Sequence, residues 1–311
     1  GGVVPEPHRR PQHCRDLLAW HTRRSARGSE VRVPEEDEAR GRVGYFSGCT
    51  DLLSLTRVDH DFRSHRASAL ALLRAVGEDP YELPNLCCGH DALWQGDTET
   101  FHLLQRTNSI IIRAAGVDTV VTECAECYRT LARDYDLDGV TVQHISQFLR
   151  ARRMPALEAA VDADGAEGTD GGVMTHGEPE GELRVAYHDP CRLGRHMKVY
   201  EEPRELVRAV PRVRLVELPE NREEAQCCGV AAMMNCDQAS RELRVRRLDQ
   251  AREAGAQVLV TSCPKCIAHL QCAVDEGGHG DLRVTDLTQF LAAALPPPDD
   301  GEADGEGGEG A

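Results

Sequence analysis

No run of about 18 apolar residues occurs in this chain, so nothing in it reads as a membrane-spanning helix. No basic start leads into an apolar block, which leaves no secretory signal to recognise. No basic patch or stripe stands out either, and this argues against nucleic acid, whose phosphates need cationic neutralisation. Lysine is nearly absent: among 36 basic residues only Lys198 and Lys265 are lysines, a bias we assign to genome base composition rather than function. No Gly-x-Gly-x-x-Gly fingerprint follows a strand-like run, so any flavin or dinucleotide would belong to another chain. The first residues are Gly1-Gly2 without methionine, and an upstream piece is therefore expected.

What is present is a chain of 311 residues, 41% of them hydrophobic. That suffices for one large or two medium domains with a sizeable core and no need of disulfide staples. The net charge of −16 is unevenly spread. Residues 151–183 contribute −6 and residues 299–311 another −6, both in Gly-, Asp- and Glu-rich stretches that read as solvated and disordered.

Thirteen cysteines is an odd number, and the sequence carries no export signal, so metal or redox chemistry is favoured over a disulfide framework. Ten of them form one pattern written twice. Gly116–Cys127 matches Gly255–Cys266, each ending in Cys-x-x-Cys; Cys87-Cys88-Gly89 matches Cys227-Cys228-Gly229; Cys49 matches Cys191. Each of these last two follows a strand-like run, Val43-Gly44-Tyr45-Phe46 and Val185-Ala186-Tyr187-His188. The segment 141–149 matches 284–291, and the offsets drift only between 139 and 142 residues. A duplication at that period indicates two homologous domains rather than a solenoid.

The expected fold class is α/β, two homologous tandem domains with parallel-type sheets and metal clusters at strand ends and loops. The first copy predicts a strand before Cys49, a helical pattern through Leu70–Val76, a helix over 98–115 closed by Gly116, and a strand over 117–122. The second predicts helices over 202–210 and 238–254 and strands over 213–218 and 257–261. The cysteines fall at strand ends, where ligands gather in open α/β sheets. The expected domains are an N-terminal extension over 1–42 with a short helix around Cys14–His21, a first domain over 43–150 and an acidic linker over 151–183. A second domain over 184–295 and an acidic tail over 296–311 complete the chain.

Five thiols per copy exceed the four ligands of tetrahedral zinc or of an ordinary [2Fe–2S] or [4Fe–4S] cluster. Either one cysteine in each copy is spare, or the centre uses a fifth sulfur. Adjacent side chains diverge unless the backbone turns sharply, so Cys87 and Cys88 more naturally reach different metal atoms, and Gly89 permits such a turn.

The two complete sets resemble the cysteine-rich CCG domain family, known from heterodisulfide reductase and its fused relatives. The runs Tyr187–Arg195 and Cys227–Cys236 are similar to the fused, membrane-complex-associated branch of that family. By this resemblance, Cys49, Cys87, Cys88, Cys124 and Cys127 would hold one noncubane [4Fe–4S] cluster. Cys191, Cys227, Cys228, Cys263 and Cys266 would hold a second, the better candidate for disulfide cleavage. The resemblance implies an oxidoreductase acting on sulfur, a redox subunit moving electrons to or from a thiol/disulfide couple in anaerobic metabolism. Its expected partners are a ferredoxin-like, flavoprotein or membrane cytochrome subunit and a small thiol/disulfide substrate, on the cytoplasmic side, with membrane contact only through partners. Fused relatives carry an upstream ferredoxin-like pair of motifs, whereas here only Cys14 precedes the first domain.

Two rival readings stand beside it: an electron-transfer subunit of a flavin dehydrogenase acting on lactate, glycolate or glycerol 3-phosphate, and a zinc-stabilised scaffold. Zinc in one copy and a cluster in the other is a mixed case. The catalytic candidates around the second centre are His188, Arg192 and Lys265. His188 reads either as a donor to sulfur or as a satisfied structural histidine beside the Asp189-Pro190 turn. Lys265 either offsets charge at the centre or is simply solvated. Arg192, Arg195 and His196 are candidates for binding substrate carboxylates or phosphates. Cys236 and Cys272 read as buried inert thiols, Cys14 as exposed, and Met233 and Met234 as packing residues.

Overall fold

The computed structural model describes residue 22 and residues 32–50, 53–56, 62–152, 182–230 and 237–296. The helix expected around Cys14–His21, most of the acidic linker, and the tail beyond 296 lie outside the described residues, as do Cys14, Met233, Met234 and Cys236.

The first half runs β1 (Val43–Tyr45), α1 (Leu53–Thr56), α2 (Arg63–Ala75), β2 (Tyr81–Glu82), α3 (His90–Gln95) and α4 (Thr98–Ala115), then β3 (Thr119–Thr122), α5 (Ala125–Asp134), β4 (Thr141–His144) and α6 (Ile145–Arg150). The second half runs β5 (Leu183–His188), α7 (Gly194–Met197), α8 (Glu201–Arg208), β6 (Val213–Val216) and α9 (Gln238–Glu253), then β7 (Val258–Thr261), α10 (Pro264–Asp275), β8 (Arg283–Asp286) and α11 (Leu287–Ala292).

Each half is built on a four-stranded sheet, in the orders β2-β1-β3-β4 and β6-β5-β7-β8, and every strand pairing is parallel. The α/β reading with two tandem domains is thus the observed architecture. Val258–Thr261 is buried at every position, as a central parallel strand covered by helices on both faces should be. The order reverses between β1 and β3, and again between β5 and β7, so the loops leaving these strands open a crevice at the carboxyl edge of each sheet.

Helix α4 occupies the predicted span 98–115. Asp97 accepts a bond from the Thr100 amide at its start, and Gly116 closes it at φ 70°, a left-handed conformation that glycine adopts freely. The expected strand over 117–122 begins two residues late, at Thr119. Strand β2 and helix α3 carry too few residues for a periodic signal and are additions to the sequence reading.

The halves dock reciprocally. Helix α2 packs on α11, and its second-half counterpart α8 packs on α6. Gln289 Nε2 donates to Ser64 Oγ (2.6 Å) on one side, while Arg150 pairs with Glu205 on the other. Two hydrophobic clusters draw from both halves, one joining Phe62, Ala125 and Tyr128 to Ile267, Leu270 and Leu282. This is a pseudo-two-fold arrangement, in which the helix contact of one half on the other is repeated with the roles exchanged.

Candidate metal centres

The ten repeated cysteines converge as two sets. In the first half, Cys49 lies in the loop after β1, Cys87 and Cys88 follow β2, and Cys124 and Cys127 open α5 after β3. In the second, Cys191, then Cys227 and Cys228, then Cys263 and Cys266 occupy the same places after β5, β6 and β7. Thiol contacts run Cys49–Cys87–Cys88–Cys127–Cys124 in one set and Cys191–Cys227–Cys228–Cys266–Cys263 in the other. The order is the same. Cys228 Sγ and Cys266 Sγ stand 3.1 Å apart. All ten are free thiols.

Local sequence explains the convergence. Cys124 is the N-cap of α5 and Cys263 that of α10, where Pro264 takes the first helical position. In each Cys-x-x-Cys the second thiol therefore sits one helical turn on, beside the first. The helix N-terminus below them offers amide groups and a positive dipole end to thiolates. In the vicinal pairs, Gly89 and Gly229 take φ values of 82° and 89°, and their amides donate back to Cys87 Sγ (3.5 Å) and Cys227 Sγ (3.4 Å). This is the sharp turn expected of Cys-Cys-Gly, repeated in both halves. Gly48 (φ 63°) has no room for a side chain, because a Cβ there would stand 2.5 Å from Cys127 Sγ.

Mutual hydrogen bonding, burial and the neighbouring sulfurs push the Cys49, Cys127 and Cys266 thiols well above the usual range. Cys227 is driven the other way, held as a thiolate by hydrogen bonds from Cys191 and Cys228. Such a set cannot ionise together in a low dielectric unless cations take the place of its protons. Soft, crowded thiols with donors beside them are a fitting set for iron–sulfur chemistry.

The sequence-named residues fall as follows. His188 is buried at the end of β5, and one of its ring nitrogens lies within 4.8 Å of the Cys228 and Cys266 sulfurs. Its Nδ1 accepts from Arg247 Nε at 2.9 Å, which places the ring proton on Nε2. The histidine is structurally satisfied and also keeps a donor. Arg192 stacks on Trp94 of the first half, 3.7 Å from the ring centroid, and meets His196 at 3.0 Å. Arg195 donates to the Ala225 carbonyl. Among the described residues neither arginine is paired with a carboxylate. Both flank Cys191, which together with Cys227 is only half-buried.

Lys265 corrects the solvated reading. It is buried, and its Nζ bonds Asp91 Oδ1 (2.5 Å) and Glu126 Oε2 (2.9 Å), both from the first half. Its ammonium is thus committed to the interface between the two centres. Cys272 corrects the buried-thiol reading, being half-buried on α10.

Sequence reasoning passed over Asp91, Glu126, Arg247 and Trp94. Asp91 stands three positions after Cys88 and Glu126 sits inside the first Cys-x-x-Cys, so proximity to the motif could have flagged both. Buried Asp189 positions the Cys191 loop, accepting two bonds from fully buried Arg204 at 2.6 and 2.8 Å and a third from the Arg222 amide. In the first half Asn85 bonds the Ser47 amide and the Gly48 carbonyl of the Cys49 loop, and neutral groups also hold the vicinal pair. Asn108 bonds the Leu86 amide and the Cys87 carbonyl, and Tyr135 bonds the Cys88 carbonyl.

The cysteine-rich (CCG) domain matches this chain twice, over residues 43–132 and 185–271. A subunit of the fumarate reductase (CoM/CoB) from Methanothermobacter marburgensis is 28% identical over 81% of this chain and 46% of its own length. An uncharacterized iron–sulfur protein of Methanocaldococcus jannaschii is 28% identical over 76% of this chain and 42% of its own. A subunit of the dihydromethanophenazine:CoB–CoM heterodisulfide reductase from Methanosarcina barkeri is 28% identical over 94% and 66% respectively. The chain thus spans about half the length of the first two of these relatives.

Proposed function

The chain belongs to the cysteine-rich CCG domain family, and from that premise we propose that it is an iron–sulfur redox subunit exchanging electrons with a thiol/disulfide couple. The observation that carries the reading is the pair of five-thiol sets at the carboxyl edges of two docked parallel sheets. Their Cys-x-x-Cys turns meet where the Ala125 amide donates to the Ser262 carbonyl at 3.1 Å. Bound in these sets, a [4Fe–4S] cluster of the noncubane type supplies one-electron chemistry and an iron for sulfur to approach.

Cys49, Cys87, Cys88, Cys124 and Cys127 hold the inner centre in this reading; Cys191, Cys227, Cys228, Cys263 and Cys266 hold the substrate end. The second set is the more open one, with Cys191 and Cys227 half-buried where the first set exposes only Cys49 to that degree. In this reading His188, whose Nδ1 is taken by Arg247, donates to sulfur there from Nε2. Arg192 and Arg195, with no carboxylate partner among the described residues, present cations to an anionic thiol or disulfide. Reduction of the disulfide consumes two electrons and two protons and releases two thiols.

The domain boundaries follow the same reading: two CCG domains over 43–150 and 184–295, flanked by the extension, linker and tail. The electrons come from a ferredoxin-like, flavoprotein or membrane cytochrome subunit. No helix among the described residues is long and apolar enough to cross a membrane. In this reading membrane contact, on the cytoplasmic side, runs through such a partner.

Anaerobic turnover with reduced viologen as donor tests the reading, comparing an anionic disulfide with a neutral one of equal size. Arg192→Gln should raise KM for the anionic disulfide several-fold, with little change in kcat and a weaker salt dependence. Full iron loading with stoichiometric reduction of the centres by viologen but no disulfide turnover would instead make the chain an electron-transfer subunit of a dehydrogenase.

A further inference from the structure

The two halves repeat each other in backbone and in thiol order, yet the charges around the thiols differ. At the third position of Cys-x-x-Cys the first half has Glu126 and the second has Lys265. These two residues meet across the pseudo-two-fold at 2.9 Å, and Lys265 also takes Asp91 of the first half at 2.5 Å. At the end of the first strand of each half, Phe46 is replaced by His188, with a ring nitrogen near the second set of sulfurs. On the long helix behind the vicinal pair, neutral Asn108 is replaced by buried Arg247. Three equivalent positions therefore change from acidic or neutral to cationic or hydrogen-bond donating in the second half; the opposite change, Ser47 to Asp189, is taken up by the buried Arg204 that pairs with Asp189.

We propose that this built asymmetry sets a potential step between the centres, making the second the electron acceptor, with the buried Lys265–Glu126 pair as its principal element. The inference rests on the iron–sulfur reading above. A reduced centre carries one more negative charge than an oxidised one. Lys265 is rooted in the second Cys-x-x-Cys and carries its positive charge to the interface between the sets, the cation there being contributed by the second half and the carboxylates by the first. Glu126 and Asp91 lie within and beside the first set, where their negative charges oppose an added electron. Donors aimed at sulfur act in the same sense, because hydrogen bonds to cluster sulfurs raise the potential. In such an arrangement one electron at a time would pass from a one-electron carrier of the partner subunit to the first centre and on to the second, and two such transfers with two protons would reduce one disulfide to two thiols. Lys265 and Glu126 are positioning residues here, acting through the field between the centres rather than on the substrate.

The test is a potentiometric titration of the anaerobically purified chain, with each centre followed by EPR. The paired substitutions Cys87→Ser with Cys88→Ser, and Cys227→Ser with Cys228→Ser, identify which signal belongs to which centre. In the parent chain the second centre should be reduced first. The exchange Glu126→Lys with Lys265→Glu keeps a buried ion pair and reverses its direction. It should move the distribution of a shared electron toward the first centre at least tenfold, a relative shift of about 59 mV or more for a one-electron couple.

Should the exchanged chain fail to load iron, Glu126→Gln serves instead. It leaves the Lys265–Asp91 bond in place and should raise the first centre's potential relative to the second. Full iron and sulfide with an unchanged potential difference in these variants would overturn the inference while leaving the iron–sulfur reading intact. So would a parent chain whose first centre is reduced first. A parent chain without two iron–sulfur centres would overturn both.

Discussion

Lys265→Met removes the cation that stands between buried Asp91 and half-buried Glu126. Lys265 and Asp91 are 5% and 6% exposed, and the contacts to Asp91 and Glu126 measure 2.5 and 2.9 Å. At 2.9 Å and an effective dielectric of about 20, one such contact represents roughly 6 kcal/mol of gross attraction. Most of that is spent desolvating the three groups. The substitution is not neutral, since it leaves buried Asp91 and half-buried Glu126 without their counter-charge, and breaking a buried pair in this way costs about 3–5 kcal/mol.

The triad also ties the halves together, so the loss should appear as global destabilisation. With a urea slope of about 3 kcal/mol per molar, the midpoint should fall by about 1–1.7 M. The measurement is an anaerobic urea titration of the loaded chain, followed by tryptophan fluorescence and by cluster absorbance. The triple change Lys265→Met, Asp91→Asn and Glu126→Gln removes every charge and should recover most of the loss. A single variant as stable as the parent would refute the reasoning. A triple variant no better than the single would show that lost packing, not stranded charge, caused the effect.

Two further predictions address the site and its support. In Gly48→Ala the new methyl group collides with Cys127 Sγ at a backbone position of positive φ, so the first centre should be lost and iron should fall from about eight to about four per chain; unchanged iron would contradict the proposed crowding. His144, buried with Nε2 bonded to the Glu123 carbonyl at 2.9 Å, is pushed down to about 4 by burial. The unfolded chain therefore takes up a proton near pH 6.5 that the folded chain refuses until about pH 4, and stability should fall across that window by roughly 3 kcal/mol. His144→Asn, which can still cap α6, should show a shallower fall in denaturation midpoint between pH 6.5 and 4, and an equally steep fall would assign the acid sensitivity elsewhere.

The repeat makes the thiol sets legible in the bare sequence, because ten cysteines in matched order carry their own alignment. Helix α4 is equally legible, bracketed by a capping aspartate at 97 and a glycine at 116. The triad is not, since it depends on how the halves dock, and no local pattern says that Lys265 will find Asp91 174 residues away. Arg247 is hidden for a related reason. It lies in an arginine-rich helix whose sequence reads as a solvated surface, and only the fold shows which arginine turns inward to His188. Strand β2 carries only Tyr81 and Glu82, too short for any alternation to register.

The central claim is that both thiol sets hold iron–sulfur centres and that the second meets a thiol/disulfide substrate. Its most direct test is the iron, acid-labile sulfide and zinc content of the anaerobically purified chain, with EPR after controlled oxidation in the presence of a thiol. The account predicts about eight irons and eight sulfides per chain, and a paramagnetic signal that changes with the thiol and disappears when Cys227 and Cys228 are replaced by serine. Zinc without sulfide in an anaerobic preparation would contradict it.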